Sequence, residues 1–333
     1  MRIATYNVEW FTHLFDDAGR FLPYDGWSGR REVRRGSQAR ALGRVFRAMD
    51  ADAIMVIEAP DDHRNRDAAA ALRTFAARFR LRTREVLLGF VNDTQQEIAL
   101  LYDRARLEAW HAPSELGAPR FDGQFRIDLD IDRAPERVIW SKPPLEAEIL
   151  TATGTALRMI GVHAKSKAPH GARTEAQMMA VSIANRRKQL AQCIWLRKRV
   201  EAHLAAGEDL IVLGDFNDGP GLDAYETLFG RSGVEIVLGD GEGRRLFDPH
   251  AKAALGPPSA ARPTTARFRL PPDGRYLTAL LDYVMLSEGL MSKRPAWRIW
   301  HPFEDPECYA DPVLRRALLA ASDHFPVSVD LDI

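Results

Sequence analysis

The stretch Asp209-Leu210-Ile211-Val212-Leu213-Gly214-Asp215-Phe216-Asn217-Asp218-Gly219-Pro220 decides how the chain is read. Apolar and small residues run straight into an acidic, amide-bearing turn closed by Gly and Pro. This is the pattern of a buried strand that delivers side chains at its carboxyl end. Asp215 and Asn217 stand two apart and so point the same way. One can accept a proton or hold a cation while the other donates to a phosphate oxygen. The same residue types also make ordinary strand-to-turn junctions, so the decision falls to the other strand ends.

The chain opens Arg2-Ile3-Ala4-Thr5-Tyr6-Asn7-Val8-Glu9-Trp10 and continues with Ile54-Met55-Val56-Ile57-Glu58 and Met159-Ile160-Gly161-Val162-His163. Leu281-Asp282-Tyr283-Val284 and Ser322-Asp323-His324-Phe325-Pro326-Val327 follow near the end. In order, these put Asn7, Glu58, His163, Asp215 with Asn217, Asp282, and Asp323 with His324 beside short apolar runs. The ordered set resembles the endonuclease/exonuclease/phosphatase (DNase I-like) superfamily over nearly the whole chain. The resemblance implies an α+β fold, a four-layer α/β/β/α sandwich of two mostly antiparallel sheets flanked by helices. Pattern alone indicates only α/β or α+β. It also implies magnesium-dependent hydrolysis of a phosphoester by direct attack of water, with Mn2+ able to substitute.

Phosphoester hydrolysis needs an activated water, positive charge or donors on the phosphoryl oxygens, and relief for the leaving oxygen. By the resemblance, Asp282 orients His324 and His324 is the base, while Asp215 aligns or deprotonates the nucleophile and Asn217 binds the phosphate. Glu58 ends an apolar strand, where a solitary carboxylate is costly unless paired or metal-bound, and magnesium suits such a site. Glu58 is then the principal metal ligand, assisted by Asn7 and Asp323; Asn7 also borders the substrate. The family usually has Gln before this Glu, and here Ile57 stands there. His163 is expected to donate to the phosphoryl or leaving oxygen. Glu97, in Gln95-Gln96-Glu97-Ile98-Ala99-Leu100-Leu101-Tyr102, is expected within hydrogen-bond reach of His163, holding the ring charged. Lys142, before Pro143, stands where related nucleases carry an Arg that contacts the phosphate backbone, and it lacks the bidentate fork. The basic loop Lys165, Ser166, Lys167, His170, Arg173 leaves the His163 strand and should overhang the substrate.

At 333 residues, with 46% hydrophobic and 28% charged, the chain can fill one large core. One domain, 1–333, is expected, because a boundary anywhere between Asn7 and His324 would split the site. Lys plus Arg equals Asp plus Glu at 46 each, so no global field attracts polyanions. Arginines concentrate instead between Arg30 and Arg47, and acidic residues between Asp122 and Glu136. Two cysteines, Cys193 and Cys308, make neither a disulfide framework nor a zinc motif, and Cys193 reads as a buried helix residue. The first strand begins at the amino terminus without a leader pattern, and no run nears the roughly 18 apolar residues of a membrane span. A cytoplasmic enzyme without membrane insertion is the expectation. Nucleic acid is the leading substrate, with a small soluble phosphoester (nucleotide, inositol phosphate or lipid head group) as the alternative and a non-catalytic binding module further behind.

Helices are predicted from Ser37 as a cap, over 66–79, and from Thr174 to Ala206. Thr174 and Gln177 form a capping box there, and Cys193, Leu196, Val200 and Leu204 a core stripe. A short helix is expected from Leu222 to Phe229. Strands are predicted at 53–57, 85–91, 97–103, 137–140, 145–150, 156–163, 264–270, 280–286 and 324–331. Segments 12–36, 104–136 and 239–263 read as loops, and 287–320 carries no regular pattern.

Overall fold

A computed structural model describes residues 1–22, 25–128, 135–169, 171–219, 230–240, 244–256, 262–270 and 274–333. The expected Leu222–Phe229 helix and His170 lie outside them. Strands β1 (Arg2–Asn7), β2 (Ala53–Ala59), β3 (Glu85–Leu88), β4 (Glu97–Tyr102) and β5 (Leu107–His111) are followed by a short ribbon of β6 (Phe125–Ile127) and β7 (Glu136–Val138). Then come β8 (Leu145–Thr151), β9 (Ala156–His163) and β10 (Leu210–Asp215), a second ribbon of β11 (Ala266–Arg269) and β12 (Tyr276–Ala279), and β13 (Asp282–Leu286), β14 (Ala296–Ile299) and β15 (Val327–Asp330). Two main sheets result, in the orders β14-β15-β1-β2-β4-β3 and β13-β10-β9-β8-β5. In each, a central pair is parallel, β1 with β2 and β9 with β10, and every other pairing is antiparallel.

Both central pairs are buried on two faces, and strict alternation decides what each face meets. Ile3, Met55, Ile57, Met159, Ile211, Leu213 and Val284 fill the space between the sheets. Ala4, Tyr6, Ile54 and Val56 face outward onto helices α1 (Arg35–Met49) and α2 (Ala68–Phe79) and the helix Pro312–Ala321. Ile160, Val162, Leu210 and Val212 face outward onto helix α3 (Glu175–Ala205), which carries the capping box of Thr174 and Gln177 and the buried Cys193, Leu196 and Val200. The layers are therefore helix, sheet, sheet, helix. Among the described residues no helix is long and apolar enough to cross a membrane.

Several boundaries differ from the sequence reading. Helix α1 starts at Arg35, ahead of Ser37, because Asp25 reaches back from the preceding loop to accept from the Gly36 N–H at 2.9 Å. The 12–36 segment is more than a surface loop: its Leu14 and Phe15 are buried, and its Phe21 packs edge-on against Phe79 of α2, ring centroids 6.2 Å apart. The supposed loop 104–136 contains β5, an edge strand. The unassigned 287–320 segment holds β14 and three helices, two of them opened by Asp-Pro pairs: Asp305 caps Pro306–Ala310 and Asp311 caps Pro312–Ala321.

The two sheets approach closely at Gly161, where an added Cβ would lie 2.4 Å from Met55 Sδ. Gly161→Ala should therefore cost about 1–3 kcal/mol by overpacking, and Met55→Ala about 2–5 kcal/mol through a cavity. Urea unfolding of the double variant should show clearly less than the sum; additive losses would mean that the two positions do not compete for the same space.

Candidate active site

The alternation that fills the core also aims the site. Following Ile3 and Thr5, Asn7 turns inward; following Met159 and Gly161, so does His163; following Ile211 and Leu213, so does Asp215. Asp282 opens β13 directly opposite Asp215 in the antiparallel register. Glu58 has the outward parity of Ile54 and Val56, yet it lines the inner cleft. A register shift between Ile57 and Ala59 and a left-handed backbone at Glu58 (φ 62°) re-aim it. His324 arrives just ahead of β15, its N–H donating to Ser322 Oγ at 3.1 Å, and that hydroxyl donates to the Asn7 carbonyl at 2.8 Å.

His324 Nδ1 lies 2.8 Å from Asp282 Oδ2, which also accepts from Thr265 Oγ1 at 2.8 Å. Thr265 Oγ1 in turn accepts from the Leu281 and Asp282 N–H groups at 2.9 and 3.0 Å. The far ring nitrogen of His324 stands 4.0 Å from Asp215 Oδ2. That oxygen accepts from the side-chain amides of Asn7 and Asn217, both at 3.1 Å, and lies 3.6 Å from His163 Nε2. Burial opposes a charge on His324, but Asp282 and Asp215 outweigh it and raise the ring well above its usual range. Burial also raises Asp215 and Glu58.

Some assignments read from sequence change. Glu97 does not meet His163. Its carboxylate accepts from Asn92 Nδ2 at 2.6 Å and the Asn92 N–H at 3.3 Å, because the turn before β4 folds back over it. His163 instead receives Lys142, whose Nζ is 3.0 Å from Nε2. Burial, then Lys142 and His324, hold the ring well below its usual value, so it is neutral rather than charged. The ring proton then sits on Nδ1, which has no hydrogen-bond partner among the described residues. Asn217 spends both amide hydrogens inside the protein, on Asp215 Oδ2 and the Ala164 carbonyl at 3.1 Å each, so it fixes Asp215 rather than offering donors to a phosphate. Asn7 turns its nitrogen to Asp215 and, at 3.5 Å, to Glu58, bridging two carboxylates. Lys165 and Lys167 both line the cleft, and Lys167 is bound there to the buried Asp218 at 2.7 Å.

Glu9, quoted with the first strand but given no role, also reaches the cleft. Its Oε2 accepts from the Asp323 N–H at 2.9 Å and from Arg30 at 3.0 Å, and Asp323 Oδ2 lies 3.7 Å from the same Arg30 nitrogen. Two buried glutamines, also missed, tie the strand-end turns to the outer helices. Gln38 of α1 donates to the carbonyls of Val8, Glu9 and Ala321, and Gln189 of α3 to those of Lys165, Phe216 and Asn217. An isolated Gln on a helix face gives no sequence signal for such a task.

Ligand atoms of Asp215, Asp282 and His324 gather within 4.8 Å of one another, a buried group that could bind a metal. Asp282 Oδ2 already receives two donors, however, so Glu58 is the better match for a hard cation. It is partly buried at the cleft, accepts among the described residues only from the Trp10 N–H at 2.8 Å and, weakly, from Asn7, and keeps acceptor capacity free.

The profile of the Endonuclease/Exonuclease/phosphatase family matches residues 4–324. The chain belongs to that family. It is accordingly a hydrolase acting on phosphoester bonds. Truncated TDP2 from Caenorhabditis elegans superposes with TM-score 0.51 at 13% identity, covering 98% of this chain and 96% of that one. An AP endonuclease from Archaeoglobus fulgidus gives 0.50 at 12%, covering 100% of both chains. A mannosyl-6-phosphatase from Bacteroides thetaiotaomicron gives 0.48 at 13%, covering 99% of both. At such identities the likeness is one of fold. No curated protein matches the chain in sequence.

With bis(p-nitrophenyl) phosphate as a generic diester, Lys142→Met and His163→Ala should be strongly non-additive in kcat/KM, and Glu97→Gln and His163→Ala additive. Coupling of the second pair and independence of the first would reverse this arrangement.

Proposed function

We propose that residues 1–333 form one domain and act as a magnesium-dependent phosphodiesterase, a nuclease that attacks phosphorus with water. The observation that carries the reading is the cleft floor, where the Asp282–His324 pair, Asp215, Glu58 and the Lys142–His163 pair converge. Glu58 would hold the cation, with Asn7 and Asp323 flanking it. When bound, magnesium, or manganese in its place, supplies positive charge to the phosphoryl oxygens.

The chain's own residues supply the rest. As water's oxygen bonds to phosphorus and the ester P–O bond breaks, a proton leaves the water. Asp215 is the acceptor this proposal favours over His324: Asp282 keeps His324 charged, and a charged imidazole has no lone pair to accept with. Asn7 and Asn217 hold the Asp215 carboxylate in place. His324 and Lys142 are then the charged donors available to the phosphoryl and departing oxygens, and the latter leaves protonated.

Asp215→Asn should lower kcat at least about a hundredfold with folding intact, and Glu58→Gln should raise the magnesium concentration giving half-maximal rate. The assay is a panel of single-stranded and duplex DNA, RNA, nucleotides and inositol phosphates, each with magnesium and with chelator. An undiminished rate in excess chelator would contradict the metal. Turnover of a nucleotide or inositol phosphate with every oligonucleotide intact would move the substrate to a small phosphoester.

A further inference from the structure

Two parts of the cleft wall take no part in this chemistry. The first is Trp10, which follows Glu9 past the end of β1. Both residues adopt the left-handed backbone region (φ 49° and 57°), an uncommon state for non-glycine residues and one that the surroundings must enforce. Three contacts do so. The Trp10 N–H donates to Glu58 Oε2 at 2.8 Å. Its indole stacks on the imidazole of His13, ring centroids 5.2 Å apart and planes within 12°. Gly29 backs it so closely that a Cβ there would lie 2.3 Å from Trp10 Cβ. Even so, the residue is left 36% exposed at the cleft.

The second is the β11–β12 ribbon, rooted beside the site by the Phe325 N–H to the Thr265 carbonyl at 2.6 Å and the Arg267 N–H to the Asp323 carbonyl at 2.7 Å. Its Phe268 ring packs edge-on against His324, centroids 5.6 Å apart. Leu270 and Leu277, 39% and 43% exposed, line the same cleft of about 870 Å³. A centre whose floor is built from carboxylates, amides and imidazoles thus has an aromatic and aliphatic wall on one side, facing a hydroxyl-bearing and basic side that includes Ser141, Lys165 and Ser166.

That wall discriminates between substrates. A sugar or inositol phosphate would set its hydroxyls against Phe268, Leu270 and Leu277, which offer them no partners, and against Trp10, which offers only its indole N–H. A nucleobase offers a flat π-face, which such side chains accept whatever the sequence. In a duplex that face is covered by neighbouring bases; in a single strand, a frayed end or a flipped nucleotide it is free. We infer that Trp10 and the ribbon residues Phe268, Leu270 and Leu277 stack the bases beside the scissile phosphate, so that the substrate is nucleic acid with unpaired nucleotides at the point of cleavage. This rests on the reading of the floor as a phosphodiesterase centre.

The test uses the full chain carrying His324→Ala, with magnesium, and fluorescence anisotropy. The probes are a single-stranded DNA of about twelve nucleotides, roughly one single-strand site size, the corresponding duplex, and an equally long chain of base-less tetrahydrofuran phosphodiester units. The single strand should bind about tenfold or more tighter than the base-less chain, the scale of one stacked base, and tighter than the duplex. Trp10→Ala and, separately, Leu277→Ser should bring the single-strand to base-less ratio toward one, and Trp10→Phe should keep most of it. If Trp10→Ala fails to fold, Leu277→Ser on the exposed ribbon and Trp10→Phe carry the test. A ratio near one in the parent, a ratio unmoved by both substitutions, or tighter binding of the duplex overturns the inference. The unmutated enzyme separates the two levels: cleavage of no oligonucleotide sinks the nuclease reading and the stacking wall with it, whereas cleavage without base-dependent binding sinks the wall alone.

Discussion

The contact on which the architecture turns is the one between the sheets at Met55 and Gly161, where no room remains for even a methyl group on the glycine. Such close approach lets β1 and β2 of one sheet and β9 and β10 of the other end at the same edge of the sandwich. Each brings a polar side chain of inward parity, or in the case of Glu58 one redirected by a bulge, to a shared floor. The site is thus the place where the apolar filling between two sheets stops. Small displacements of the sheets would separate Asn7 from Asp215, which belong to different sheets and lie 3.1 Å apart.

Gathering carboxylates and imidazoles at the bottom of a core is costly, and most of the surrounding structure offsets that cost. Asp282 is held by Thr265 and His324, Asp215 by two asparagine amides and the Asn217 N–H, and His163 by Lys142. Gln38 and Gln189 perform matching tasks from opposite outer layers, each binding three carbonyls of the turns that carry site residues. Deeper in α3, the buried Arg186 binds Asp218 at 2.7 Å and so steadies the turn that follows Asp215 and Asn217. Glu58 opens onto the cleft with acceptor capacity to spare, which is the physical reason the proposal gives it the cation.

The residues gathered on the floor were legible because strand parity and turn chemistry leave marks in sequence: an apolar run, then Asp-x-Asn, or a Glu directly after Ile54 to Ile57. Contacts between side chains from separate loops leave none. The expected Glu97–His163 pair failed because nothing in Gln95-Gln96-Glu97 reveals that the preceding turn brings Asn92 over the carboxylate. The Lys142–His163 contact is equally invisible, although the family resemblance puts Lys142 near the substrate. Other misses had readable signals. Asp305-Pro306 and Asp311-Pro312 each join a capping residue to a proline at the first helical position, and they mark two helices in a segment left unassigned. The cap of α1 was misplaced because its acceptor, Asp25, lies in a loop rather than at the helix start.

In the proposed mechanism water attacks phosphorus directly on a floor organised by Asp215, Asp282 and His324, none of which becomes bonded to the substrate. Hydrolysis of a phosphorothioate diester of known configuration in 18O-labelled water tests it most directly. A single displacement predicts inverted configuration at phosphorus, with one labelled oxygen in the product from the first turnover onward. Retained configuration, or a first turnover without label, would reveal a covalent enzyme intermediate and contradict the account.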